Sequence, residues 1–136
     1  AGDELAYQIA IKAIDAGILS RLLRIERIWI LFPLMRREEL ASVERAVDLL
    51  SHVVEEGIRE GDPECNTISR KRGLRTWSLQ VELLKKYHRF PVRNILLGRQ
   101  NTPEETEYLQ SSEQAFSSTS GFHTMLGHTF STVGIE

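Results

Sequence analysis

The sequence predicts an all-α fold built from antiparallel helical hairpins, and three observations support this. Apolar residues recur at steps of three and four in several segments, which is the period of a helix face. No segment alternates apolar and polar residues over a useful length, as a half-buried strand does. Short stretches with Gly, Pro or Asp join the segments, and such turns favour helices that pack side by side.

The first helix is predicted over residues 3–16. Asp3 is suited to the N-terminal cap, and Gly17 to the left-handed conformation that often follows a helix. One face carries apolar or small residues, which we expect to be buried: Leu5, Ile9, Ala13 and Ala16, with Ala6 and Ala10 beside them.

The second helix is predicted to start at Ser20 as its cap and to run to Phe32, with Pro33 ending or kinking it. Its main apolar stripe consists of Leu22, Ile25, Trp29 and Phe32. Other apolar residues widen this stripe to nearly the whole circumference, so we expect the helix to lie in the middle of a bundle.

The third helix, over residues 37–60, has the clearest amphipathic pattern, with an inner stripe of Leu40, Val43, Val47, Leu50 and Val54. The polar residues 61–73 are predicted to be a linker. A fourth helix spans residues 74–90 and stops before Pro91, whose ring disfavours helical geometry in the preceding residue. Its inward side chains are Leu74, Trp77, Val81 and Leu84.

The segment after Pro91 contains several signals for turns and helix ends. Asn94 is suited to cap a short helical turn that Gly98 closes. Thr102 is the expected cap of a further helix, with Pro103 in its first position and Glu105 completing a capping box. Residues 1–110 are therefore predicted to form one helical domain, and the Ser-, Thr- and Gly-rich residues 111–136 a flexible tail.

Six residues in or near these connections favour the binding of an anionic ligand: Arg36, Arg37, Arg89, Arg93, Asn94 and Arg99. Guanidinium groups bind carboxylates and phosphates through paired N–H donors. Alternatively, these arginines pair with the acidic residues 104–107 or cap helix carbonyls.

The charge distribution allows the same two interpretations, anion binding or pairing within the protein. The net charge is −2, but residues 70–99 hold 9 basic side chains and a single acidic one. This block is either an anion-binding face or a segment that packs beside the acidic parts of the chain. Aromatic residues are not interleaved with the basic ones, so we do not expect nucleic acid as a partner.

The sequence lacks the common catalytic and metal-binding patterns. It has no Gly-rich phosphate loop, no Cys pair and no histidines at metal-ligand spacing. We therefore assign no catalytic residue, expect no cofactor or metal, and favour a binding protein over an enzyme. The lone Cys65, the absence of a visible signal peptide and the lack of an apolar run of ~20 residues favour a cytoplasmic protein without a membrane partner.

Two blocks of the sequence resemble a known family. "IERIWILFPLMRREELASVERAVDLL" and "HRFPVRNILLGRQNTPEETEYL" are similar to the bacterial and eukaryotic family called domain of unknown function 924. The resemblance covers residues 3–122 and implies an all-α fold like that of tetratricopeptide-repeat (TPR) proteins. By this resemblance, the N-terminal part of the family pattern is missing here, and histidines common in the family are replaced by Arg36, Gln80 and Val92.

These observations lead to two functional hypotheses. The first is a module that binds a protein or peptide, because stacked helical pairs expose a concave face. The alternative is a protein or enzyme that binds a small anionic ligand at an arginine-lined site in the "RFPVRN" loop. Because the second helix is apolar on most sides, we also expect self-association through the first two helices, or coverage of that face by another part of the protein or another subunit.

Overall fold

All regular structure in the described part of the chain is helical, which confirms the all-α prediction. The computed structural model describes the backbone of residues 2–63 and 68–118, and the side chains of residues 2–63 and 73–112. The α-helices in these ranges are α1 (Gly2–Asp15), α2 (Arg24–Met35), α3 (Leu40–Arg59), α4 (Ile68–Tyr87) and α5 (Pro103–Ser118). Short 3-10 turns lie at Ile18–Arg21 and Pro91–Arg93.

The chain divides into two units after Phe90. The first unit contains α1 to α4, and the second contains the Pro91–Arg93 turn and α5. Helix α5 runs to Ser118 and so passes through residue 110, where the sequence predicts the domain to end. Residues 119–136, the rest of the predicted tail, lie outside the described residues.

Helix α3 organises the first unit, because it packs against both α2 and α4. In the predicted inner stripe of α3, Val43, Leu50 and Val54 are buried, while Leu40 and Val47 are half-buried. The core also contains Ala46 of α3 and Phe90, which follows α4. The other three helices contribute Ala10, Leu31, Leu34, Met35, Trp77, Val81 and Leu84.

Ion pairs show that α2 and α3 run antiparallel. Arg27, near the start of α2, lies 2.7 Å from the carboxylate of Glu56, near the end of α3. Arg24 pairs with Glu60 and Asp62 at the same end of the hairpin. Pairs of this kind contribute about 0–1 kcal/mol each, so they orient the hairpin more than they stabilise it.

The predicted inner face of α1 is wrong in its main positions, whereas Ala10, predicted beside it, is buried. Leu5 and Ile9 are exposed, and the face turned to the core holds Tyr7, Ala10, Ile11 and Ile14. Apolar residues occur on both sides of α1, so periodicity alone does not choose between them. Tyr7 contributes to the choice, because its hydroxyl lies 3.1 Å from Ser42 Oγ and the Arg37 guanidinium lies 4.0 Å from its ring centre.

The start of the second helix also differs from the prediction. The Ser20 hydroxyl donates to the carbonyl of Gly17 at 2.9 Å, so it stabilises a 3-10 turn rather than the start of α2. Helix α2 begins four residues later, where the Glu26 carboxylate accepts the backbone N–H of Leu23 at 2.8 Å. This acidic side chain, rather than a hydroxyl, satisfies the first free donor of the helix.

Two predicted helix limits shift for backbone reasons. Helix α2 continues two residues past Pro33, whose missing N–H removes a single helical hydrogen bond near the end of the helix. Helix α4 begins at Ile68, inside the stretch predicted to be a linker, and ends at Tyr87. His88 then has a φ of +58°, a left-handed conformation that stops the helix shortly before Pro91.

The cap of α5 confirms its prediction from the sequence. The Thr102 hydroxyl accepts the backbone N–H of Glu105 at 3.2 Å. In return, the Glu105 carboxylate accepts the backbone N–H of Thr102 at 2.8 Å, which completes a capping box. Pro103 occupies the first helical position, where the absence of an N–H has no cost.

Replacing Thr102 with Ala is expected to lower the free energy of unfolding by about 1 kcal/mol, the usual effect of losing a cap. Urea denaturation followed by circular dichroism measures this change. Thr102→Ser is the matched control, because it keeps the hydroxyl oxygen and is expected to remain close to the wild type. An equal loss in both variants would show that the hydroxyl does not stabilise the helix.

Candidate functional site

Helix α2 presents three large apolar side chains to solvent. Ile25, Trp29 and Phe32 are 47%, 64% and 37% exposed. They follow one another at steps of four and three, so they lie along one side of the helix. The opposite side is buried in the core through Leu31 and Leu34. We call this exposed surface the α2 face.

Ring contacts hold the α2 face in a defined arrangement. The Trp29 and Phe32 rings are stacked, with centroids 5.1 Å apart and planes at 26°. Phe32 also meets the ring of Trp77 on α4 edge to face, at 5.4 Å and 82°. Such pairs contribute about 0.5–1.5 kcal/mol each beyond burial. The α2 face therefore continues into the first unit's core through Trp77, which is almost fully buried.

The sequence predicted this stripe to lie inside a bundle, and that prediction is wrong for Ile25, Trp29 and Phe32. The apolar arc of α2 is wider than the surface that α1 and α3 cover, so one part of the arc remains in solvent. The width of this apolar arc was the feature of the sequence that indicated an exposed patch on α2. The pattern did not reveal which side would be left uncovered.

The C-terminal edge of the α2 face carries a positive charge. Arg36 follows Phe32 by four residues at the end of α2, which places it in line with the apolar residues. Its side chain is largely exposed, and its Nε lies 3.5 Å from the carboxylate of Asp3. An ion pair at this distance between exposed groups is weak.

Arg37, the next predicted ligand-binding residue, is held by the protein itself. Its guanidinium lies 2.5 Å from the Glu4 carboxylate and 3.1 Å from that of Glu39. Hydrogen bonds from Gln8 and then Arg37 lower the pKa of Glu4, and the bond to Glu4 raises the pKa of Arg37. Arg37 therefore already has carboxylate partners of the kind that an anionic ligand would supply.

The turn after α2 meets the end of α4. The Glu38 carboxylate accepts the backbone N–H of Phe90 at 2.9 Å, next to the half-buried Arg89. A shallow cleft of about 300 Å³ lies beside this contact, lined by Glu38, Leu40, Leu84, Lys85 and His88. This lining combines the carboxylate of Glu38 with the ammonium group of Lys85, so it offers an anion no excess of positive charge.

The other predicted residues share a loop of the second unit. The N–H of Leu97 donates to the carbonyl of Arg93 at 3.0 Å, and the N–H of Arg99 to that of Asn94 at 2.8 Å. Gly98 turns the chain with a φ of +64°, as the sequence predicts. The loop exposes three apolar side chains in succession: Ile95, Leu96 and Leu97.

The sequence predicted that the side chain of Asn94 caps a short helical turn, and this prediction is wrong. The side chain is fully buried, and its amide donates to Asn101 at 2.8 Å and to Glu105 at 3.2 Å. Asn94 thus ties the loop to the start of α5. The binding of one ligand by all six predicted residues stays a prediction.

Two other classes of site find no support in the described part of the chain. Within the described residues, no three His, Cys, Asp or Glu side chains come together as a metal ion requires. None of the helices in the same ranges combines the length and apolar character needed to cross a membrane.

Comparison with known proteins gives two matches. The model of a family described as "Bacterial protein of unknown function (DUF924)" matches residues 1–113. The chain is similar to a solved structure from Agrobacterium tumefaciens, the protein of unknown function ATU0120, with 27% identity and a TM-score of 0.64. The match covers 82% of this chain and 54% of that one, so this chain spans about half of its length. No curated protein matches the chain significantly.

Proposed function

The chain belongs to the family of bacterial proteins of unknown function (DUF924), and we propose that it is a protein-binding module that recognises its partner through the α2 face. The observation that carries the proposal is the exposure of Trp29, at 64%, beside two further apolar side chains on the same side of one helix. Single exposed apolar residues are ordinary, whereas a contiguous group of this kind marks an interaction surface.

The residue types support a protein partner. Trp contributes more often than most residues to the centre of protein interfaces, since it buries a large area with few rotatable bonds. The stacking of Trp29 on Phe32 fixes both rings before a partner arrives. Binding therefore orders few side chains, which reduces its entropic cost.

An anionic ligand at the arginine-rich connections has weaker support. Arg37 is paired with Glu4 and Glu39, and the cleft beside the end of α4 contains the Glu38 carboxylate. In both places a ligand carboxylate or phosphate would have to displace or face an acidic group of the protein. The α2 face presents no such competition, because its three residues are apolar.

We expect Trp29→Asp to weaken partner binding at least about tenfold while the domain stays folded. Immobilised wild-type protein, incubated with an extract of its native cells, should capture proteins that Trp29→Asp recovers at least about tenfold less, the loss expected when an interface anchor is replaced. Thermal melts followed by circular dichroism check that the variant is folded. The same proteins at the same yield on wild type and Trp29→Asp would rule out the α2 face.

Leu79→Asp is the matched control for this experiment. Leu79 is 55% exposed on α4 and lies two residues from Trp77, hence on the opposite side of that helix. It places the same charge on a comparably exposed apolar position away from the α2 face. We expect it to capture the same proteins as the wild type. Loss of capture in both variants would point to non-specific apolar adsorption.

A further inference from the structure

We infer that α1 is a displaceable helix, and that the surface of α2 and α3 beneath it is a binding site for an acidic amphipathic helix. In this structure α1 itself occupies that site. The inference goes beyond the α2 face, because α1 covers a part of α2 that the α2 face does not include. Four features of the first unit support it: the spacing of the inward side chains of α1, the ion pairs at both of its ends, its small buried surface and its link to α2.

Helix α1 docks with the spacing that is typical of a helical peptide in a groove. Its inward side chains are Tyr7, Ala10, Ile11 and Ile14. They occupy positions i, i+3, i+4 and i+7, the anchor positions of an amphipathic helix bound to an apolar groove. The Tyr7 hydroxyl adds a polar contact, 3.1 Å from Ser42 Oγ on α3. The surface under α1 is therefore shaped to receive a helix.

Ion pairs hold the N-terminal end of α1. The Glu4 carboxylate lies 2.5 Å from the Arg37 guanidinium, and the Asp3 carboxylate lies 3.5 Å from Arg36. Both arginines follow α2 directly, in the turn that leads to α3. Arg37 also lies 3.1 Å from the carboxylate of Glu39, so it keeps an acidic partner when α1 leaves. Opening of α1 therefore does not strand this arginine.

A third ion pair holds the other end of α1. The carboxylate of Asp15, the last residue of α1, lies 2.6 Å from the Arg45 guanidinium on α3. Each acidic residue of α1 thus faces an arginine of the α2–α3 hairpin, which is charge complementarity for an acidic helix. Because these groups are partly or largely exposed, the pairs are screened by salt and select the occupant more than they strengthen its binding.

The structure allows α1 to open while the rest of the unit stays folded. Ala10 is its single buried residue within residues 2–15, whereas α3 buries seven residues. The link to α2 contains Gly17, with a φ of +69°, and the 3-10 turn Ile18–Arg21. Helix α2 begins independently of α1, because its own Glu26 caps it. Elements with little buried surface open at a lower free energy than the core.

Two labelled peptides test the inference on the full chain. The first has the sequence of residues 2–17, and the second differs from it by Glu4→Lys and Asp15→Lys. The receiving protein is the Ala10→Asp variant, in which a charge at the buried position disfavours docking of the chain's own α1. By fluorescence anisotropy, we expect the first peptide to bind this variant at least about tenfold more tightly than the wild type, where the tethered α1 competes at a roughly millimolar effective concentration.

Charge reversal assigns the peptide to the surface under α1. At low salt, Ala10→Asp is expected to bind the first peptide at least about tenfold more tightly than the second, with a difference that shrinks as salt rises. Adding Arg37→Glu and Arg45→Glu to this variant is expected to reverse the preference. Adding Leu79→Asp instead is the control, which should leave both dissociation constants unchanged.

Hydrogen exchange of the wild type, followed by mass spectrometry, tests the opening of α1 without any substitution. We expect the amides of α1 to exchange at least about tenfold faster than those of α3. Circular dichroism checks that Ala10→Asp is folded. If it is unfolded, the chain with Glu4→Lys and Asp15→Lys replaces it as the receiving protein, since both positions are exposed.

Three results would overturn the inference. Exchange of α1 as slow as that of α3 would show that α1 does not open separately. Equal binding of the two peptides would show that the arginines under α1 do not select the occupant. Binding of neither peptide would show that this surface does not accept a helix from another molecule. The capture experiment with Trp29→Asp tests the α2 face separately, so each proposal stands or fails by its own result.

Discussion

Leu50→Asp is expected to unfold the first unit at room temperature. Leu50 lies in the middle of α3 at 4% exposure, among core residues from α2 and α4. The substitution removes a buried apolar side chain, at a cost of about 2–5 kcal/mol, and places an unpaired carboxylate in the core, at a further cost of several kcal/mol. Domains of this size are stable by only ~5–15 kcal/mol, so little or no folded protein should remain.

Circular dichroism at 222 nm and a thermal melt measure the effect of Leu50→Asp. The control is Leu79→Asp, which introduces the same charge at a position that is 55% exposed. Exposed substitutions usually change stability by about 0.5 kcal/mol or less, so this control should melt near the wild type. A cooperative melt of Leu50→Asp at the wild-type temperature would mean that α3 does not pack through this face.

Glu105→Ala is expected to destabilise the second unit by about 2–4 kcal/mol, far more than an ordinary capping residue. The Glu105 carboxylate is 1% exposed and accepts hydrogen bonds from the backbone of Thr102 and the side-chain amide of Asn94. Truncation removes the acceptor of one N–H of the buried Asn94 amide and of the backbone N–H of Thr102, which is exposed. The unsatisfied buried amide costs about 1–3 kcal/mol and the lost capping bond about 1 kcal/mol, which together set the size of the expected loss.

Urea denaturation of Glu105→Ala beside two controls measures this loss. Glu104→Ala removes an exposed neighbour from the same helical turn and is expected to have a small effect. Glu105→Gln keeps one oxygen acceptor and the side-chain shape, so it should fall between the wild type and Glu105→Ala. If Glu105→Ala is no less stable than Glu104→Ala, the buried carboxylate does not hold the loop to α5.

The α2 face and the loop of the second unit share a physical property. Both present apolar side chains on a backbone that is already fixed. The backbone of α2 is fixed by core packing, and that of the loop by the hydrogen bond between Asn94 and Glu105. Fixed apolar groups lose little conformational entropy on binding. The loop residues Ile95, Leu96 and Leu97 are therefore a natural extension of mutagenesis once a partner is identified.

Local signals in the sequence determined several parts of this fold. The amphipathic period of α3 predicted its buried residues Val43, Leu50 and Val54, because the opposite side of this helix is polar and could not be the buried one. The order of Thr102, Pro103 and Glu105 predicted the start of α5 and its capping box. These features depend on residues within one or two turns of each other, so a single sequence contains the information needed to predict them.

Tertiary packing decided which side of the most apolar helices is exposed. Leu5 and Ile9 on α1, and Trp29 on α2, belong to stripes that periodicity alone assigns to the core. Both helices carry more apolar surface than their neighbours in the described part of the chain cover. The choice depends on contacts between residues distant in sequence, such as Tyr7 with Ser42 and Phe32 with Trp77. The hydrophobic effect has no preferred direction. The sequence therefore determined which side chains of these helices are apolar, and the packing of the helices determined which of those side chains are exposed to solvent.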